Sequence, residues 1–92
     1  MTEFLLEVYV AQADSYGVDA AARRARAAAH AVASEGSRVR YVRSIFVPKD
    51  ETCFHVYEAD SIGTVHEAAR RAGLAVDRVV EARSAEQRGG ER

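Results

Sequence analysis

Between Glu3 and Val10 the chain reads EFLLEVYV, with Phe4, Leu6, Val8 and Val10 alternating against Leu5, Glu7 and Tyr9. A period of two predicts a strand covered on at least one face. From Val18 the apolar positions recur at three- and four-residue steps through Ala22, Ala25, Ala29 and Val32, which predicts a helix over about 18–34. Asp14 or Ser15 can cap its start and Gly36 its end, and Asp19, Arg23, Arg26 and His30 fall on its outer face. Residues 38–47, RVRYVRSIFV, form a β-branched and aromatic run, and the Pro48-Lys49-Asp50-Glu51 that follows is turn chemistry. The returning strand is 52–59, TCFHVYEA, where Phe54 and Val56 alternate against Cys53, His55 and Tyr57. Asp60 or Ser61 then caps a second helix with an apolar stripe at Ile62, Val65, Ala69 and Ala72 and a stop at Gly73. A last short strand, DRVVEA, is predicted over 77–82.

The predicted order is β-α-β-β-α-β. Right-handed crossovers around each helix place strands one and three side by side in an antiparallel sheet of order 4-1-3-2, the ferredoxin-like split fold of the α+β class. One domain over 1–83 accounts for all of it, and 84–92, SAEQRGGER, reads as a disordered tail. Both helices of this fold cover one sheet face. The face with Phe4, Leu6, Val8, Val10, Phe54 and Val56 is expected to be the covered one. The other face then exposes Leu5, Tyr9, Cys53, Tyr57 and one of Tyr41 or Phe46, an apolar patch that monomers seldom leave in water. The expected remedy is a homodimer that stacks two open faces into a barrel-like α+β assembly.

Composition narrows the function classes. The chain has 92 residues, 48% hydrophobic and 29% charged, with a formal net charge of −1, so it is neither a disordered polyelectrolyte nor globally basic. Nucleic acid and anionic membrane are therefore not expected partners. No apolar stretch is long enough for a membrane helix and the first residues carry no basic leader, which points to the cytoplasm. The single Cys53 excludes an intramolecular disulfide and any Cys-rich zinc module, and it suits a reducing compartment. Glycine-rich phosphate loops, GxSxG and HExxH are all absent, which removes support for nucleotide-binding and hydrolase readings. Arg38, Arg40 and Arg43 around Tyr41 lack the stacking aromatics of an RNA-binding sheet. His30 and His66 fall on or beside polar helix faces and read as solvated histidines.

Two polar groups stand out on the predicted open face, Glu7 on strand one and His55 on strand three, which the sheet order makes neighbours. Such a pair serves an ion pair, a general acid/base couple or two ligands of one metal ion. Cys53 shares the face of His55 and can add a soft ligand, and Glu81 on the edge strand can add a hard one.

Residues 44–59, SIFVPKDETCFHVYEA, and 72–82, AGLAVDRVVEA, resemble a family of small actinobacterial nickel-binding proteins that carry a domain of unknown function with a ferredoxin-like fold. The likeness covers about residues 3–82 and is most specific at VPKDETCFH and at the AGL-x-x-DR-x-x-E ending. The resemblance implies a homodimer, an associated nickel site and no established reaction. With nickel so introduced, His55 is the expected central ligand and Glu7, Cys53 and Glu81 the accompanying ones. The expected function is a cytoplasmic, dimeric nickel-binding protein that buffers or delivers the ion. The alternative is a small dimeric α+β barrel enzyme, of monooxygenase or isomerase type, acting on an organic ligand in the open-face cavity.

Overall fold

A computed structural model describes residues 1–83 and 85, so the expected tail lies, apart from Ala85, outside the described residues. The elements are β1 (Thr2–Tyr9), α1 (Val18–Ser34), β2 (Val39–Val47), β3 (Thr52–Ala59), α2 (Ile62–Ala72) and β4 (Arg78–Ala82). Short 3₁₀ turns at Gln12–Gly17 and Pro48–Asp50 link β1 to α1 and β2 to β3. The strands pair antiparallel in the order β2-β3-β1-β4, which is 4-1-3-2 read from the other edge. This is a ferredoxin-like arrangement. Among the described residues no helix is long and apolar enough to cross a membrane.

The helix ends follow local chemistry. At α2, the Ser61 side chain accepts from the Thr64 amide at 3.2 Å, and Gly73 closes the helix at φ 70°, a left-handed conformation that glycine adopts without a Cβ clash. The start of α1 differs from expectation. Its N-cap is Gly17, with no side-chain cap, because Asp14 and Ser15 are taken up in the preceding 3₁₀ turn. Helix α1 buries Ala25, Ala28, Ala29 and Val32, and α2 buries Val65, Ala68, Ala69 and Ala72. Ile62, expected in the α2 stripe, is instead 48% exposed at the first turn. The small alanine side chains keep both helices close to the sheet.

The register of β1 against β3 corrects the expected faces. Phe4 lies opposite Tyr57, Leu6 opposite His55 and Val8 opposite Cys53. Directly opposed residues of antiparallel strands share a face. Phe4, Leu6 and Tyr57 belong to one buried core with Ala25 and Ala29 of α1, so Cys53, His55 and Tyr57 face the helices. Phe54 and Val56 turn to the open side with Leu5, Glu7 and Tyr9. Strand β3 is apolar on both faces, and an assignment shifted by one residue exchanges the two sets completely.

A bulge resolves the mixed alternation of β2. Tyr41 lies opposite Tyr57, but Ser44 lies opposite His55, with the register shift between Tyr41 and Arg43. The extra residue, Val42, puts both Tyr41 and Phe46 on the helix side.

Tyr57 joins the two layers. It is fully buried, its hydroxyl donates to the Ala25 carbonyl of α1 at 2.7 Å, and its ring meets Tyr41 edge to face at a centroid distance of 5.9 Å. The Arg26 guanidinium covers Tyr41 from above, 5.4 Å from its ring centre. Replacing Tyr57 with Phe removes only the hydrogen bond and should cost about 1 kcal/mol, whereas Tyr57→Ala also opens a cavity and should cost about 3–5 kcal/mol. Urea denaturation of the two variants beside the native chain measures both.

Candidate metal site and its cavity

The helix-facing side of β3 carries the polar cluster. His55 and Cys53 are each 1% exposed, and the Cys53 Sγ lies 3.6 Å from His55 Nε2. Two residues apart on a strand, they project side by side. The other ring nitrogen, Nδ1, is 2.6 Å from Ser44 Oγ on β2, which in turn lies 2.8 Å from the Tyr41 hydroxyl. Tyr41, Ser44 and His55 thus form a hydrogen-bonded chain across the helix face of the sheet.

The pair borders a cavity of ≈300 Å³. Its walls come from the end of β1 and the residue after it (Val8, Tyr9, Val10), the first two turns of α1 (Val18, Ala21, Arg24), and the segment after α2 (Leu74, Ala75). Asp14 stands at its edge. The loop side is tied down: the Val10 amide donates to the Glu51 carbonyl at 2.9 Å and the Gln12 amide to the Glu51 carboxylate at 2.9 Å. Glu51 reaches both from a left-handed conformation, φ 50°, at the end of the Pro48–Asp50 turn.

Burial sets the protonation of the pair. Removal from water disfavours the imidazolium, and the Arg24 guanidinium adds repulsion, so the pKa of His55 lies below the usual histidine value and the ring is neutral at pH 7. Burial likewise pushes the Cys53 thiol up. Neutral imidazole is ready to ligate, and the thiol must release its proton to do so.

The four residues expected to form one site are divided by the fold. Cys53 and His55 are brought together. Glu7 is on the opposite face of the sheet, where Arg78 Nη2 donates to its carboxylate at 2.9 Å, so the expected closeness of Glu7 and His55 is corrected. Glu81 is exposed on edge strand β4 opposite Phe4, two strands or about 10 Å from β3. Among the described residues no group of three or more His, Cys, Asp or Glu is gathered as a metal site. His30 and His66 are exposed, as expected of solvated histidines. Sequence reasoning missed Ser44, Tyr41 and Arg24. Arg24 was legible from its spacing, since it falls three residues after Ala21 and four before Ala28, at the margin of the apolar stripe.

Fold and site together define a small ferredoxin-like protein with a buried imidazole–thiol pair beside a cavity. A family model described as nickel responsive protein SCO4226-like matches residues 9–82, and the chain belongs to that family. The resemblance read from residues 44–59 and 72–82 is thereby borne out. Among solved structures, the crystal structure of SCO4226 from Streptomyces coelicolor A3(2) superposes with a TM-score of 0.67 at 20% identity, covering 91% of this chain and 99% of that one. At this identity the likeness establishes the fold alone. No curated protein matches the chain.

The buried thiol makes one chemical property measurable. Ellman's reagent should label Cys53 in the native protein only as fast as the fold opens, and at once in denaturant. Immediate labelling of the native chain would contradict the 1% exposure of this side chain.

Proposed function

We propose that the protein binds nickel through His55 Nε2 and Cys53 Sγ and serves to buffer or hand on the ion in the cytoplasm. The observation that carries this reading is the 3.6 Å separation of the two donors. Zinc-type bonds of about 2.1 Å to nitrogen and about 2.3 Å to sulfur at the tetrahedral angle put two donors about 3.6 Å apart, and the square-planar angle that nickel also takes brings them to about 3.1 Å. Since both side chains are 1% exposed and touch each other, a local opening of the fold admits the ion. Imidazole and thiolate suit nickel, copper and zinc alike, and the family is what favours nickel. Ligation through Nε2 requires Nδ1 to carry the proton and donate to Ser44 Oγ, so Ser44 and Tyr41 orient the ring. Glu7 and Glu81 take no part in this site. With only two protein donors the ion is held exchangeably, which suits transfer better than permanent structure.

The same reading includes a homodimer through the open face. On that side Leu5, Phe54, Ile45 and Val80 make an apolar stripe that neither helix covers, with Ile45 39% exposed and Tyr9 62% exposed, around Val56, which is itself 4% exposed and lies opposite Arg43. The ion pairs Glu7–Arg78 and Arg40–Glu58 border it. An apolar centre with a charged rim is the anatomy of an interface. The partner is a second copy of the chain, stacked face to face.

Calorimetric titration of nickel chloride into untagged protein tests the site. His55→Ala and Cys53→Ala should each weaken binding by more than about tenfold and Ser44→Ala by about tenfold, the usual cost of an orienting partner, while His30→Ala and His66→Ala should bind as the native chain does. Full affinity in His55→Ala with loss in either helix variant would put the site on the helices instead. Sedimentation tests the interface: the native chain should run as a dimer, twice its 10.1 kDa, and Ile45→Asp should run as a folded monomer.

A further inference from the structure

The cavity between the start of α1 and β3 is lined mostly by apolar side chains. Val8, Val10, Val18 and Leu74 border it and each stays half-buried, whereas Leu6, Val65 and Ala29 of the neighbouring core are almost fully covered. Its floor is Cys53 and His55, which touch each other and which burial keeps uncharged at pH 7. The charged members of the lining, Arg24 and Asp14, are one of each sign and lie exposed at the mouth. The space measures ≈300 Å³, twice an apolar cavity of about 150 Å³ that takes up benzene and at the lower end of pockets for small organic ligands. Gly17 borders it at φ −87°, which any residue adopts, and a Cβ there would meet no atom within 4 Å. A void of this size forfeits packing contacts along its lining, and an apolar occupant recovers them. Water at the inner end finds few partners, because His55 Nδ1 is engaged by Ser44 and Nε2 by Cys53.

We propose that this cavity binds a small, neutral, largely apolar organic molecule of one or two rings. The occupant lies against Val8, Val10, Val18 and Leu74, with the Cys53–His55 pair as its floor, and a polar group on it points outward past Arg24 and Asp14. Charge decides against ions of either sign. The inner lining offers no counter-ion, and the opposite charges of Arg24 and Asp14 leave no surplus at the mouth, so an ion would give up hydration without compensation. The site goes beyond the nickel reading and does not depend on it, since the occupant needs neither a metal nor a thiolate.

The chain contains no tryptophan, so indole, a neutral two-ring probe, can be followed by its own fluorescence anisotropy. With the untagged full chain and EDTA present to hold any metal, indole should bind saturably, one molecule per chain, with a Kd below about 1 mM. Indole-3-acetate and tryptamine, an anion and a cation on the same ring system, should bind at least tenfold more weakly. Ala21→Leu on α1 and Ala75→Leu after α2 fill the void from different elements, and each should weaken indole at least tenfold. Circular dichroism checks that each variant is folded, and a loss in either folded variant places indole in the cavity. Absence of saturable binding to the native chain overturns the proposal, as does a charged probe that binds as tightly as indole. Undiminished binding in both filled variants also overturns it, because indole then sits elsewhere, such as on the open face. None of these outcomes bears on nickel binding, which the calorimetry above decides separately.

Discussion

The hydrogen bond from the Tyr57 hydroxyl to the Ala25 carbonyl is the constraint from which the rest of the arrangement follows. It joins the middle of β3 to the middle of α1 and fixes which side of the strand the helices cover. Once Tyr57 faces inward, alternation carries His55 and Cys53 inward with it and sends Val56 and Phe54 out. The polar pair is thereby placed on the helix side, beside the cavity, and the open face carries aliphatic and aromatic groups among its ion pairs. A buried polar pair and a face that no helix covers are separated by one strand's thickness.

The fold was largely legible in the sequence because its signals were redundant. The three- and four-residue steps from Val18 to Val32, the proline turn at 48–51 and the glycine stop at 73 each marked an element, and together they allow one topology. The faces were less legible. In TCFHVYEA the apolar residues divide almost evenly, Phe54 and Val56 against Cys53, Tyr57 and the small Ala59, so hydrophobicity by itself hardly orients the strand. The charges do. Glu58 shares the parity of Phe54 and Val56, as Glu3 and Glu7 share that of Leu5, and burying those carboxylates under helices would cost more than leaving Phe54 and Val56 on the face no helix covers. The site suffered from the same ambiguity, since exchanging the faces of β3 separates His55 from Glu7 and gives it Ser44 and Arg24 as companions.

Arg24 gives the cavity its character. Burial first and the Arg24 guanidinium second keep the imidazole neutral, and the thiol lies against it. Those three groups come from elements distant in sequence, α1 and β3, and only the crossover of the split fold juxtaposes them. The loop from Val10 to Gly17, strapped to Glu51, closes the remaining side.

The bulge at Val42 has a consequence for how this chain tolerates length changes. In an unbroken strand, residues three apart point in opposite directions, so Tyr41 and Ser44 share a side only because one residue between them goes unpaired. Their hydroxyls meet at 2.8 Å, and Ser44 then reaches the imidazole. Deleting a single residue here would leave every side chain of the cluster in the sequence yet rotate half of β2 by a half-turn, cutting the hydrogen-bonded chain from Tyr41 through Ser44 to His55. The arithmetic of the strand, and not only its composition, is therefore part of the site.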